Sequence, residues 1–241
     1  MSAVTVLKIG GSVLTGAEGY RRAAGYVADR LAGSDERLVI VVSAEFGHTD
    51  ALHQEAKALS HGAPDGDLLD LLWSTGEIRS VALLSLRLRS AGVSVTGVSV
   101  HEIGLRVVPG DTRIAFNPLA IRAALAHHRV VVVPGFLAVD RQRVVTLGRG
   151  GSDWSAVLLA ARLGAGRCEL IKDVDGYFTA DPVTCPDATR IPHLSYTTAL
   201  QMADDGCPLV QRHAITEAAA ARLPLVIRSL SSAGTVLSDQ E

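Results

Sequence analysis

Val4–Ser12 reads VTVLKIGGS: an apolar run that carries one lysine, Lys8, near its end and stops at two glycines and a serine. A short continuous apolar run suits a strand covered on both faces, and the glycines at its end turn the chain into a loop. The pattern recurs along the chain. Leu38–Val42 (LVIVV) precedes the loop Ser43–Asp50, Val130–Val133 runs into Pro134-Gly135, and Glu169–Ile171 opens a long loop over 172–190. Helical stretches lie between these strands: Tyr20–Leu31, Asp50–Ser60, Asp67–Arg89 as one or two helices, Ser152–Leu163, Ser195–Asp205 and Gln211–Leu223. Pro118–His128 adds another, with Asn117 as its N-cap and Pro118 at its first position. Val93–Val100 reads as a strand, and Leu105–Ala115 as two short strands about Pro109-Gly110-Asp111. Phe136–Leu147 reads as a hairpin about Asp140–Gln142, and Leu225–Arg228 and Thr235–Ser238 close the sheet. Continuous apolar strands alternating with helices predict an α/β fold, a three-layer αβα sandwich around a largely parallel open sheet. With no repeat and no linker, a single domain over 1–241 is expected, with an N-terminal part to about 147 and a C-terminal part from about 148.

Composition narrows the function classes. Apolar residues make up 48% of the chain and charged residues 20%, which excludes disorder as the dominant state. The net charge of -2 lacks the basic excess of a nucleic-acid binder. No window reaches the roughly 18 apolar residues of a membrane span, so no membrane partner is expected. Three unpatterned cysteines and an N-terminus that reads as strand and turn point to a reducing cytoplasm. The cationic residues are 20 Arg and only three Lys, at 8, 57 and 172. Arg replaces Lys where charge alone matters but not where a compact ammonium is needed.

Three glycine-bearing loops follow strands. Lys8 with Gly10, Gly11 and Ser12 combines an ammonium with backbone N–H groups that no Cβ shields, an arrangement suited to a phosphoryl group or to a plain tight turn. Ser43–Asp50 offers hydroxyls to a polar ligand or to a helix cap. Thr146–Asp153 (TLGRGGSD) places Arg149 among glycines at a helix start, where free N–H groups and the dipole hold anions and Arg adds a bidentate fork. Asp153 in that first turn could position a lysine. Lys172–Pro182 (KDVDGYFTADP) combines carboxylates with Tyr177 and Phe178, against which a nucleotide base could lie. Glu77 stands in a helical pattern beside Gly76, a glycine that suggests close approach. The phosphate-loop and dinucleotide fingerprints are absent.

In combination these segments resemble the catalytic domain of the aspartate kinases, in the amino acid kinase superfamily. Lys8-Ile9-Gly10-Gly11-Ser12 is similar to that family's K-F-G-G-T/S opening, Ser43–Asp50 to S-A-x-x-G-x-T-N, Gly76-Glu77 to its helical G-E pair and Asp173–Pro182 to D-V-D-G-V-Y-T-A-D-P, while TLGRGGSD matches unchanged. The resemblance implies ATP-dependent phosphorylation of the side-chain carboxylate of aspartate or a close analogue, with Mg2+ arriving on ATP and no metal site in the protein. Lys8 would neutralise the transferring group and Asp153 would hold the lysine machinery. Ser43, Thr49, Glu77, Arg149, Gly150, Gly151 and Ser152 would bind the amino acid. Gly10, Gly11, Ser12, Lys172, Asp173, Phe178 and Asp181 would bind the nucleotide. A homodimer is expected, and a catalytic domain without the regulatory domains that usually follow.

Three departures stand out. The relatives' second lysine, in G-A-K-V-L-H-P, falls at Pro208; the Arg after their T-x-D-P falls at Val183; and their threonine before D-V-D-G falls at Lys172. Lys172 could replace the missing charge. The alternatives are a weakened homologue serving as a ligand-binding or partner subunit, and a kinase with a different acceptor.

Overall fold

A strand buried on both faces must send alternate side chains into two cores, and this one does. The computed structural model describes residues 4–108, 114–148, 150–207 and 209–239. In chain order the elements are β1 Val4–Ile9, α1 Gly16–Leu31, β2 Arg37–Val42, α2 His48–Leu59, α3 Gly66–Ser90, β3 Val95–Gly97, α4 Val100–Ile103, β4 Leu105–Val107, β5 Ile114–Phe116, α5 Leu119–His127, β6 Val130–Pro134, β7 Leu137–Asp140, β8 Arg143–Thr146, α6 Gly151–Leu163, β9 Cys168–Ile171, β10 His193–Leu194, α7 Tyr196–Asp204, α8 Arg212–Ala220, β11 Leu225–Arg228 and β12 Thr235–Leu237. Eight strands form one sheet in the order β10-β12-β11-β9-β1-β2-β6-β3, parallel except where β11 meets β12. Val6, Val39, Val41, Val131 and Val133 face the core built with α5, α6, α7 and α8. Leu7, Ile9, Ile40, Val42 and Val132 face the core built with α1 and α3. The expected three layers are present.

The parallel strands β1, β2, β6 and β9 end on one edge, and β1 has β2 on one side and β9 on the other. Open α/β sheets leave a crevice for ligands beyond the strand ends where the winding direction reverses. Alternation decides what points into it. Lys8 shares its side of the sheet with Val6 and so faces α6. Lys172 follows Ile171 and shares the side of Leu170, which lies opposite Lys8 in the β1–β9 register. Both lysines are therefore aimed at the N-terminal turn of α6.

Several elements differ from the sequence expectation. A second, four-stranded sheet, β5-β4-β7-β8, lies over the α5/α6 core rather than in the main sheet. Of the one or two helices expected over Asp67–Arg89, one forms, the 25-residue Gly66–Ser90. Only Val95–Gly97 of the expected strand Val93–Val100 pairs, because Ser99 and Glu102 close a capping box that turns the next residues into α4. Helix α5 begins at Leu119 rather than Pro118, and Asn117 Oδ1 accepts the Leu119 N–H at 3.1 Å. The two-residue β10 is too short to show a period. The expected turn at Pro109-Gly110-Asp111 lies outside the described residues. Among the described residues no helix is long and apolar enough to cross a membrane.

Candidate active site

The crevice at the strand ends holds a cavity of about 350 Å³. It is lined by Lys8, Ser43, Ala44, Thr49, Glu77, Phe136, Gly148, Gly150, Gly151, Ser152, Asp153, Lys172, Leu209 and Gln211. Most of the expected catalytic and amino-acid-binding residues thus meet in one place, drawn from four separate segments, with Lys172 beside them. Arg149 and Pro208, both weighed in the sequence, lie outside the described residues.

Asp153 is the hub on one wall. It is buried in the first turn of α6, with Oδ1 2.9 Å from Lys8 Nζ and Oδ2 2.9 Å from Lys172 Nζ. Burial alone would raise the carboxyl, but the charges of Lys8 and Lys172 hold it below the usual carboxylate range. Burial and the Lys8 charge lower the Lys172 ammonium, and the Asp153 charge opposes them. The expectation that Asp153 positions a lysine understates the finding: it holds two.

Glu77 stands at the opposite end in charge. It is buried on α3, and its Oε2 has no hydrogen-bond partner among the described residues. Burial pushes its carboxyl up to about 7, against the pull of the Ala44 backbone amide and the Lys8 charge. A buried carboxylate oxygen without a partner is costly, and a cationic ligand group would satisfy it.

The glycines serve close approach more than open ligand contact. A Cβ on Gly11 would lie 2.2 Å from the Ala44 carbonyl, so the first loop is pressed onto the second. The Gly10 N–H donates to the Ile171 carbonyl at 3.0 Å, which corrects the expectation that it is exposed to an anion. Gly150 adopts φ +71° as N-cap of α6, and a Cβ there would meet the Gln211 side chain at 2.0 Å. Helix α2 is capped by Gly47 at φ +77° without a side-chain bond, so the hydroxyl residues Ser43 and Thr49 are left to line the cavity rather than to cap.

The nucleotide-loop residues lie differently. Tyr177 is buried in the core, so of the two aromatics only the half-buried Phe178 is available to a base. Phe178 pairs with Arg190 across the folded-back loop. Asp181 Oδ1 accepts the Val183 N–H at 2.9 Å, and Asp181 and Asp173 are exposed. Gly10, Gly11, Ser12, Asp173, Phe178 and Asp181 do not line the cavity itself. Sequence reading missed Phe136, Leu209 and Gln211. Phe136 sits at φ +66°, rare for a residue with a Cβ, just after Pro134-Gly135; that dipeptide signals only a strand end.

Residues 3–229 match the amino acid kinase family, and the chain belongs to that family. It is 38% identical to an aspartokinase of Thermus thermophilus over 94% of this chain and 56% of that protein. It is 37% identical to the aspartokinase of Corynebacterium efficiens over 94% of this chain and 55% of that one. The chain therefore spans about half the length of these relatives. The structure of an aspartate kinase from Synechocystis superposes with a TM-score of 0.88 at 33% identity, covering 99% of this chain and 40% of that one. E. coli aspartokinase III, solved in complex with aspartate and ADP, superposes with a TM-score of 0.82 at 25% identity, over 99% of this chain and 65% of that one.

Proposed function

We propose that the protein transfers the γ-phosphoryl group of ATP to the side-chain carboxylate of aspartate or a close analogue, giving 4-phospho-L-aspartate or its counterpart. The observation that carries this is one cavity lined both by a two-lysine cluster on Asp153 and by the Glu77 carboxyl, whose Oε2 has no hydrogen-bond partner among the described residues. The first suits a phosphoryl group and the second an ammonium. Relatives named aspartokinase, and one solved with aspartate and ADP, support the same reading.

In this reading the acceptor's α-ammonium sits on Glu77, beside Thr49 and Ser43. Its α-carboxylate is taken by Arg149 with Gly150, Gly151 and Ser152 at the start of α6, where helix amides and dipole favour an anion. A side-chain carboxylate oxygen attacks the γ-phosphorus and forms the new O–P bond. The bond from that phosphorus to the β,γ-bridging oxygen breaks, and its electron pair leaves with ADP. No general base is needed, since the attacking carboxylate is ionised near neutral pH. Lys8 neutralises charge on the transferring group, and catalysis is chiefly positioning and electrostatics. The nucleotide runs outward past Gly11 and Ser12 to Lys172, Asp173, Phe178 and Asp181, with Gly10 shaping the turn rather than donating its N–H.

The donor set fits a magnesium ion that rides on ATP. Among the described residues no group of three or more His, Cys, Asp or Glu could hold a metal, and the Asp153 oxygens are already engaged by ammoniums. Mg2+ held by phosphate oxygens and water would supply further charge neutralisation. This reading keeps the division into an N-terminal part to about 147 and a C-terminal part from about 148, both of which line the cavity. We place the enzyme in the cytoplasm, in amino-acid biosynthesis.

The expected homodimer has a suitable face. Leu68, Leu71, Ile78 and Leu86 are exposed along one side of α3, while its other side is buried. A helix apolar on both sides calls for cover on both. Two copies crossing antiparallel would set the Leu68 end of this stripe against the Leu86 end.

Incubation with Mg-ATP, aspartate and hydroxylamine tests the reaction, because an acyl phosphate is trapped as a hydroxamate. Nucleotide binding without hydroxamate, and ADP release with another acceptor, would replace the substrate. No nucleotide binding by calorimetry would overturn the kinase reading.

A further inference from the structure

Two ammonium groups share one buried carboxylate in this cavity. One lysine would neutralise Asp153, so the second leaves the trio with a net positive charge. The side chains of Lys8 and Lys172 are only 9% and 16% exposed, so water does little to solvate that charge. Each ammonium has three N–H donors; Lys172 donates one to Asp153 Oδ2, and Lys8 lies in ion-pair contact with Oδ1. Both border the same cavity. The backbone fixes Lys172 there: its amide donates to the Arg228 carbonyl at 2.8 Å, immediately after β9, and strand alternation turns the side chain toward α6. Burial opposes the Lys172 charge, so keeping it costs stability that a second counter-anion would return. Among the neighbours, the Lys8 charge pulls on the Glu77 carboxyl, and Asp173, which is exposed, acts on Lys172.

We infer that Lys172 is a second cation for the transferring phosphoryl group, acting beside Lys8, with Asp153 fixing the separation of the two ammoniums. Lys172 is then a catalytic residue in its own right rather than a general contact for the nucleotide. This rests on the phosphoryl-transfer reading above. It also makes the lysine absent at Pro208 dispensable in this chain, because the charge arrives from the end of β9.

The test compares wild type with Lys172→Met, which keeps the stem and removes the charge, and Lys172→Arg, which keeps a counter-ion for Asp153. Calorimetry with Mg2+ measures binding of adenosine, ADP and a non-hydrolysable ATP analogue; the hydroxamate assay gives kcat and the KM for aspartate. For Lys172→Met the ATP analogue is expected to bind at least tenfold more weakly, with ADP affected less and adenosine not at all. Its kcat should fall at least a hundredfold, with KM for aspartate within about twofold. Lys172→Arg should bind the ATP analogue within about threefold of wild type but lose at least tenfold in kcat, since a planar fork does not replace a compact ammonium. The assignment is overturned if Lys172→Met keeps both ATP affinity and kcat, or if it weakens adenosine, ATP and aspartate alike with a lowered Tm, the signature of a purely structural pair. If Lys172→Met does not fold, Lys172→Arg decides, and a kcat within twofold of wild type overturns it. Wild-type protein that binds no nucleotide overturns the kinase reading and this assignment together; active wild type with an unaffected variant overturns this assignment alone.

Discussion

A Cβ added to Gly76 would lie 2.9 Å from the Cβ of Ala44. That contact is where the long helix α3 presses against the loop after β2, and the next residue, Glu77, reaches the cavity because of it. A side chain at 76 would also meet His48 at 3.1 Å. Gly76→Val should therefore push α3 and the loop apart. We expect a loss of about 1–3 kcal/mol of stability, the usual range for overpacking, measured by urea denaturation. The KM for the amino acid should rise at least tenfold while ATP affinity changes little. A KM within twofold of wild type would show that the approach of helix and loop does not set Glu77.

Glu77 ties amino-acid binding to pH. Burial raises its carboxyl to about 7, so near neutral pH it is only partly ionised. An ammonium binds the ionised form. The KM for aspartate should therefore climb as pH falls from 8 to 6, and Glu77→Gln should raise KM at pH 8 and remove the slope. Stability runs the other way. A folded-state value above the unfolded one contributes stability that is full below about pH 4.5 and is lost as pH rises through about 7. Without ligand, Glu77→Gln should thus gain on wild type between pH 5 and pH 8, by at most ~3 kcal/mol. Parallel urea curves at those two pH values check the sign.

Much of this arrangement was legible in the sequence, and the reasons are specific. Val4–Ile9, Leu38–Val42, Val130–Val133 and Glu169–Ile171 are buried on both faces, so their continuous apolar runs located the main sheet. Lys8 near the end of β1, Thr49 and Lys172 after β2 and β9, and Gly150 at the start of α6 stood out beside them, and the fold brings all four to one cavity. What escaped reading depends on contacts distant in sequence. Strand alternation was available to show that Lys8 and Lys172 share a side of the sheet, but their meeting on Asp153 needed the register of β1 with β9. Tyr177 looked like a platform for a base, yet its backbone amide donates to Thr235 Oγ1 at 2.8 Å and its ring goes into the core. Gln211 reaches the cavity only because Gly150 has no side chain in its way.

Asp153→Asn should separate folding from turnover. The change leaves two ammoniums facing each other without their carboxylate. Removing one partner of a buried pair costs about 3–5 kcal/mol, so the empty variant should unfold at distinctly lower urea. A bound triphosphate supplies the missing negative charge. Saturating Mg-ATP should recover most of the loss in the same experiment, while kcat falls at least a hundredfold. If the nucleotide stabilises the variant no more than it stabilises wild type, the two lysines do not face the phosphates.

A second buried ion network should affect stability alone. Arg30 on α1 donates to Glu36 at 2.8 Å and to Glu169 on β9 at 2.9 Å, and Arg167 donates to Glu169 at 2.6 Å. Although burial disfavours their charged forms, Glu36 and Glu169 are held below the usual carboxylate range by Arg30, with Thr5 adding to the effect on Glu36 and Arg167 to that on Glu169. Their contribution is present above about pH 4.5 and fades as pH falls through the lowered values. Arg30→Ala should cost about 3–5 kcal/mol at pH 7 and flatten the acid limb of the stability curve. Both KM values should stay within twofold at a temperature where the variant is folded. A change in either KM would mean that this network reaches the cavity.

The exposed side of α3 gives the proposed dimer its own test. Leu71 and Leu86 are 56% and 60% exposed and lie on the same side of the helix, one toward each end. In an antiparallel crossing both would be covered by the partner. An Asp at either position would leave a charge in an apolar contact. Leu71→Asp and Leu86→Asp should sediment as monomers at micromolar concentration where wild type sediments as a dimer. Each should keep its unfolding midpoint when both proteins are compared as monomers, since neither side chain supports the fold. Leu68 and Ile78 extend the same stripe, so Ala at all four positions should weaken the dimer without adding charge. Wild type that sediments as a monomer, or as a dimer that Leu71→Asp and Leu86→Asp leave intact, rules out this face as the interface.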